Sequence, residues 1–177
     1  MAVPKLLERY LSRTGQVAPS SKRIVIEQRG EMRLKPDGNW DPFTAEQWFS
    51  IDEVGFCWHA RVKMAPLVTA VVEDAYELGE GRLDAKLWGA LPVAHGDGPD
   101  FDRGEVQRYL AELPWNPGAF HRNKELVFEE IDGNVRVWAG DPEAYVDLLL
   151  DDETGDIVGA RCVNRPFGDV GPTPWAV

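Results

Sequence analysis

Cysteine is nearly missing from this chain. Cys57 and Cys162 stand far apart and form no CxxC spacing. Nothing here needs a disulfide, and two reduced thiols fit a cytosol. Serine is almost as scarce. Ser12, Ser20, Ser21 and Ser50 all lie outside any GxSxG elbow, which argues against a serine hydrolase. There is no P-loop, no GxGxxG and no HExxH. Long apolar runs are missing too: none approaches the ~18 residues of a membrane span. The first segment is interrupted by Lys5, Glu8, Arg9 and Arg13 and so lacks the apolar region of a signal peptide. A soluble, cytoplasmic protein is expected. Positive charge is in deficit, with 19 Lys and Arg against 30 Asp and Glu, a net charge of −11. Such a field repels phosphate backbones and anionic lipid, so no nucleic acid and no membrane insertion is expected.

Metal and thiol chemistry fare no better. His95, Asp97, Asp100 and Asp102 crowd one loop but miss the calcium-loop spacing, as does the DDETGD turn. No cluster has structural-zinc spacing, and neither metal nor cofactor is expected. Cys57 and His59 share a strand face, where side chains two apart stand ~7 Å from one another, too far for a direct dyad. His121 and Glu125 are four apart, but Pro117 and Gly118 precede them and a strand follows, so a helical ligand pair is doubtful.

What the chain has is alternation. Its 177 residues are 44% hydrophobic and 28% charged, which fits one globular domain over 1–177. Leu6, Leu7, Tyr10 and Leu11 share one face of a short helix within 1–15, with Pro4 at its start and Gly15 at its stop. QVAPSSK follows as a linker. From Ile24 to Leu34 the even positions are largely apolar and the odd ones largely charged, the period of a half-buried strand. Asp37-Gly38 predicts a tight hairpin. Folding there sets Met32 against Phe43, Gln28 against Gln47 and Ile26 against Phe49. A second turn near Asp52–Val54 pairs Phe49 with Trp58, Ala45 with Val62 and Phe43 with Met64. Trp48 falls on the otherwise polar face, which predicts partial cover there too. The meander continues through LVTAVVEDAYEL, turns at Gly79–Gly81 and returns through RLDAKLWGAL. HGDGPDFDRG reads as a polar loop. A second helix over 102–114 follows, capped by Asp102 and stopped by Pro114 and Pro117. Another Asp-Gly hairpin pairs Phe128 with Val137 and Glu129 with Arg136. AYVDLLLD and DIVGARCV form a third, and the tail is irregular. The expected class is α+β: an antiparallel meander of about nine strands curled into a half-barrel, with one helix packed on the concave face.

The informative residues are polar ones on the dry face. Gln28 and Gln47 oppose each other, and Asp74 and Tyr76 share a face with Val68, Ala70 and Val72. A three-residue turn would pair Asp74 with Lys86 and Tyr76 with Asp84. A buried carboxylate without a partner is costly. Two readings follow. In one, the set satisfies itself, Gln28 with Gln47 and Asp74 with Lys86 or a tyrosine hydroxyl, and only fixes the register. In the other, these groups line an apolar pocket and point polar atoms at a ligand. Trp115 and Phe120, just past the second helix, could cap such a pocket, and Glu112 flanks the helix's apolar stripe.

Four motifs carry a family likeness: RGEMR…W-x-PF-x-A-x-Q-W-F over 29–49, GF-x-W-x-AR over 55–61, D-x-Y-x-x-G-x-G over 74–81 and RYLAELPW-x-P over 108–117. They resemble an uncharacterised bacterial family known only as a domain of unknown function. Its fold is similar to the periplasmic lipoprotein-carrier half-barrels, which hold acyl chains in a concave sheet. That resemblance singles out Gln47, Arg61, Asp74, Tyr76, Glu112 and Trp115. With Gln28 and Trp58 they form the candidate ligand-binding set. Three functions stay open: a non-catalytic binder of a small apolar or amphipathic molecule, an enzyme with an Asp74–Tyr76 or Asp74–Glu112 acid–base pair, and a partner-binding domain without ligand.

Overall fold

The computed structural model of the chain describes residues 3–14, 18–33, 37–166 and 171–177. Gly15, Leu34, the start of the linker and 167–170 of the tail lie outside them. Among the described residues the fold is α+β, with eleven strands in two antiparallel sheets and three α-helices. The first sheet runs in chain order: β1 (Arg23–Met32), β2 (Asp41–Ser50), β3 (Phe56–Ala65), β4 (Val68–Glu77), β5 (Glu80–Leu87) and β6 (Leu91–Gly96). The second holds β7 (Leu126–Ile131), β8 (Asn134–Ala139), β9 (Val146–Leu150), β10 (Ile157–Pro166) and β11 (Pro172–Ala176), ordered β11-β10-β9-β8-β7. The expected single meander of about nine strands is therefore divided, and neither sheet closes. The division falls where the chain leaves β6 and travels through helices before it pairs again.

Hydrophobic alternation settles which face is dry, and turn length settles the register. Between β1 and β2, Gln28 pairs with Ala45 and Ile26 with Gln47. Phe49 pairs with Phe56 and Ala45 with Ala60 across β2 and β3. Both registers sit two residues from the expected ones. An even shift keeps every side chain on its own face, so the dry set survives. The β1–β2 connection is residues 33–40, between the Met32–Asp41 pair, rather than a two-residue turn at Asp37-Gly38. Between β4 and β5 the shift is odd. Asp74 pairs with Leu83 and Tyr76 with Gly81. The turn is Leu78-Gly79, both left-handed at φ 55° and 90°, and shorter than the expected Gly79–Gly81. Lys86 thereby moves to the outer face, opposite Val71, and is not the partner of Asp74. The Asp132-Gly133 hairpin keeps its expected register, with Phe128 opposite Val137 and Glu129 opposite Arg136.

The N-terminal helix α1 (Lys5–Arg13) buries Leu7 in the core. Helix α2 (Pro99–Ala111) starts earlier than 102–114, with Pro99 in its first turn. Asp102 does not cap it; its Oδ1 instead accepts the Gly81 backbone N–H at 2.7 Å. A Cβ on Gly81 would lie 2.9 Å from the Phe101 carbonyl oxygen, and one on Gly96 would lie 2.0 Å from the Phe101 ring. Glycine at both places lets α2 seat on β5 and β6. After α2 come a 3-10 turn (Leu113–Trp115) and a single-turn helix α3 (Ala119–Arg122). Two segments expected to be loop or irregular are strands: the end of β6 through His95 and Gly96, and β11, whose Trp175 pairs with Cys162.

Helix α2 packs against both sheets. One continuous core joins Phe49, Phe56 and Ala60 of the first sheet through Tyr109 and Leu110 to Val135, Val137 and Leu148 of the second. Trp48, on the outer face, is half-buried beneath the Arg23 guanidinium, 4.0 Å from its ring centroid.

Candidate functional site

A helix covered on both sides cannot turn its polar residues to water. In α2 and the residue that caps it, Glu105, Arg108 and Glu112 recur at helical spacing and form one charged stripe. The sheet must satisfy them. For Arg108 and Glu112 it does so through a chain of hydrogen bonds with one allowed direction, whereas Glu105 Oε2 is buried without a hydrogen-bond partner among the described residues. An indole N–H can only donate. Trp58 Nε1 donates to Gln28 Oε1 at 2.8 Å. That leaves the Gln28 amide nitrogen to donate to Gln47 Oε1 at 3.0 Å, and the Gln47 nitrogen to donate to Glu112 Oε2 at 2.7 Å. Arg108 Nε donates to the other Glu112 oxygen at 3.2 Å, and its terminal nitrogen donates to Asp74 Oδ2. The Arg108 guanidinium also lies over Phe56 and Trp58, 4.9 and 5.4 Å from their ring centroids. Burial works against the Arg108 charge, but Glu112, Asp74 and Glu105 outweigh it and hold its pKa above the ordinary value.

Glu105 extends the network toward the second sheet. Burial, then the Asp74 charge, push its carboxyl up to about 8, against the pull of Arg108 and Arg165. Its surroundings thus favour the protonated form, which can donate as well as accept. Arg165, on β10, has its pKa lowered by burial, and Glu105 works against that shift. Three elements thus meet at one buried charge cluster: β4, α2 and β10.

Five of the candidate residues come together here: Gln28, Gln47, Trp58, Asp74 and Glu112. Gln47 is fully buried. Three do not join. Arg61 lies on the exposed outer face of β3. Trp115 is half exposed and meets Phe49 edge-on at 6.4 Å. Tyr76 shares the face of Asp74 but opens into a cleft further along. Phe120, expected to cap a pocket, is buried and stacked on Phe128 at 6.0 Å. Sequence reasoning missed Glu105 and Arg108, although their spacing with Glu112 was a readable signal once the helix was placed.

The cleft beside Tyr76 has a volume of about 500 Å³. Trp48, Val54, Tyr76, Leu78, Val106 and Ala139 give it apolar walls, contributed by the β2–β3 loop, the β4–β5 turn, α2 and the end of β8. Glu125 closes one side, its carboxylate accepting the Val54 backbone N–H at 2.6 Å. Burial, then Asp102 and Glu125, raise the Tyr76 pKa. Other polar clusters are ordinary. His95 bonds Asp84 at 2.9 Å and Asp97 at 3.3 Å on the surface. Burial, then Glu73, push the Cys57 thiol up to about 11, which leaves it little thiolate. Among the described residues no group of three His, Cys, Asp or Glu could hold a metal ion, and no helix is long and apolar enough to cross a membrane.

The molecule is thus a two-sheet α+β protein whose central helix is clasped by buried charge and flanked by a small cleft. The chain belongs to the DUF6920 family, a family of unknown function, whose sequence profile matches residues 1–155. That span holds the first sheet, α2 and β7 to β9, and ends in the β9–β10 turn. No curated protein and no solved structure matches the chain.

Proposed function

We propose that the protein is a non-catalytic binder of a small amphipathic molecule, held in the cleft beside Tyr76, with the six-stranded sheet as an open half-barrel frame. The observation that carries this reading is the cleft itself. Its volume of about 500 Å³ is in the range of small-molecule sites, and its apolar walls carry a few polar groups at the rim. Leu78 supports it. This leucine is fully exposed at the mouth and held at φ 55°, a conformation that favours Gly, Asn or Asp. The rim is mostly anionic. Glu53, Glu77 and Glu125 line it with one cation, Arg23, which is already stacked on Trp48; Glu77 is also paired with Arg82 at 2.9 Å. An amphipathic amine therefore fits better than a fatty acid. The acid–base alternative has less support, since Asp74 is ion-paired with Arg108 and its side chain is only 11% exposed.

Dodecylamine should raise the melting temperature more than dodecanoate does. Val54→Trp, which fills the mouth, should abolish that rise and leave the unliganded protein folded. Absence of any rise, together with no small molecule extracted from the purified protein and seen by mass spectrometry, would overturn the reading.

A further inference from the structure

Exposed apolar side chains gather at one end of the first sheet. With strands ordered β1 to β6 and every neighbour antiparallel, the β1–β2, β3–β4 and β5–β6 connections share that end. Of the twelve strongly exposed large apolar residues described, five lie there: Trp40, Met64, Leu67, Trp88 and Leu91. Leu67 is 87% exposed and Trp88 60%. Trp88 is held outward by its backbone, at φ 53° and followed by Gly89 at 71°. Its indole N–H donates to the Leu67 carbonyl at 2.7 Å, and its backbone N–H donates to the Thr69 carbonyl at 2.8 Å. Two hairpin tips are thus tied into one surface. The polar part of the indole is satisfied, and much of the ring remains in water.

The same end carries cations on a chain of net charge −11. Arg61 pairs with Val71, which pairs with Lys86, so the two cations lie in one cross-strand row of the outer face. Lys63, opposite Thr69, lies in the next row toward the tips. Arg33 stacks on Trp40 at 4.6 Å. The described acids at this end are Glu31, in the row of Lys63, with Asp37 and Asp41. Glu46, Glu73 and Asp84 lie one row further from the tips than Arg61 and Lys86. The opposite end carries Asp52, Glu53, Glu77 and Glu80 at its turns.

We propose that this end docks on an anionic lipid bilayer surface. Trp40, Leu67, Trp88 and Leu91 enter the interfacial layer, and Arg61, Lys63 and Lys86 face the acidic headgroups. Indoles with one satisfied polar edge suit that layer, and nearby lysines add attraction to anionic lipid. The apolar groups stand on protruding turns and not on a flat face. A fluid interface accepts that shape, whereas a second globular surface covers it poorly. The acidic remainder of the chain is repelled by the same lipid and fixes which end points down.

Sedimentation with phosphatidylcholine vesicles, with and without phosphatidylserine, tests this on the full chain. Binding to the phosphatidylserine vesicles is expected at low salt and should weaken as salt rises. Lys63→Gln with Lys86→Gln should lower the partition by about tenfold or more. Leu67→Ser should lower it as well, and Val158→Ser, an equally simple exposed replacement on the second sheet, should not. Melting curves of all variants should overlay. No binding to phosphatidylserine vesicles at low salt would overturn the proposal. So would equal losses for Leu67→Ser and Val158→Ser, or a concentration-dependent self-association in the absence of lipid that Leu67→Ser abolishes.

Discussion

Beneath α2 the protein places charge where water scarcely reaches, and at the β1–β2, β3–β4 and β5–β6 tips it places indole and leucine where water is plentiful. Both reverse the usual distribution. Under the helix, each group is bonded to the next: Trp58 to Gln28, Gln28 to Gln47, Gln47 to Glu112, Glu112 to Arg108 and Arg108 to Asp74. Removing one member strands a buried neighbour, so the network holds the fold. At the tips, Leu67 and Trp88 keep most of their surface in solvent. Removing the Leu67 side chain costs the fold little, so its apolar surface is available to something outside the chain. An exposed hydrophobe and a buried charge are equally unusual, but only the exposed hydrophobe is free to act on a partner.

The largest expected effect separates the two regions directly. Arg108→Met leaves Asp74 and Glu112 without their cation and should cost about 3–5 kcal/mol in urea unfolding. Next comes pH. The Glu105 carboxyl titrates near 8 in the folded protein, above its value in the unfolded chain. Its contribution to stability is therefore complete below about pH 4.5 and is lost as pH rises through about 8. Glu105→Gln should flatten that loss in melts followed from pH 5 to 9. Gln47→Leu is smaller. It unpairs Glu112 Oε2 and the Gln28 amide nitrogen, and about 1–3 kcal/mol should be lost in the same unfolding assay. The smallest effect is Leu67→Ser, expected within about 0.5 kcal/mol of the parent despite its loss of vesicle binding. A tip substitution as damaging as Arg108→Met would erase the distinction drawn between the regions.

Much of the first region was legible in the sequence. Period-two alternation along Ile24–Met32 and along β2 identified the dry face, and with it Gln28, Gln47 and Asp74. The Asp132-Gly133 turn gave its hairpin the correct register, because that dipeptide favours the left-handed pair it adopts. Elsewhere register escaped. Leu78-Gly79 adopts the same left-handed pairing with a leucine in first position, where propensity gives no warning, and Lys86 was placed on the wrong face as a result. The partner of Asp74 was hidden for another reason. Arg108 reaches it from a helix 34 residues away in the chain, and no local pattern encodes that meeting. The tips were illegible because loop hydrophobes look like core residues until the strands that carry them are laid side by side.

Of seven tryptophans, Trp58 is the buried one, and it ends the directional series of hydrogen bonds that begins on the central helix. Its emission should therefore act as an optical gauge of helix seating. If α2 lifts, the amides lose their imposed orientation and the indole loses both its acceptor and the overlying guanidinium. A spectral change confined to that chromophore would report the motion without any added label.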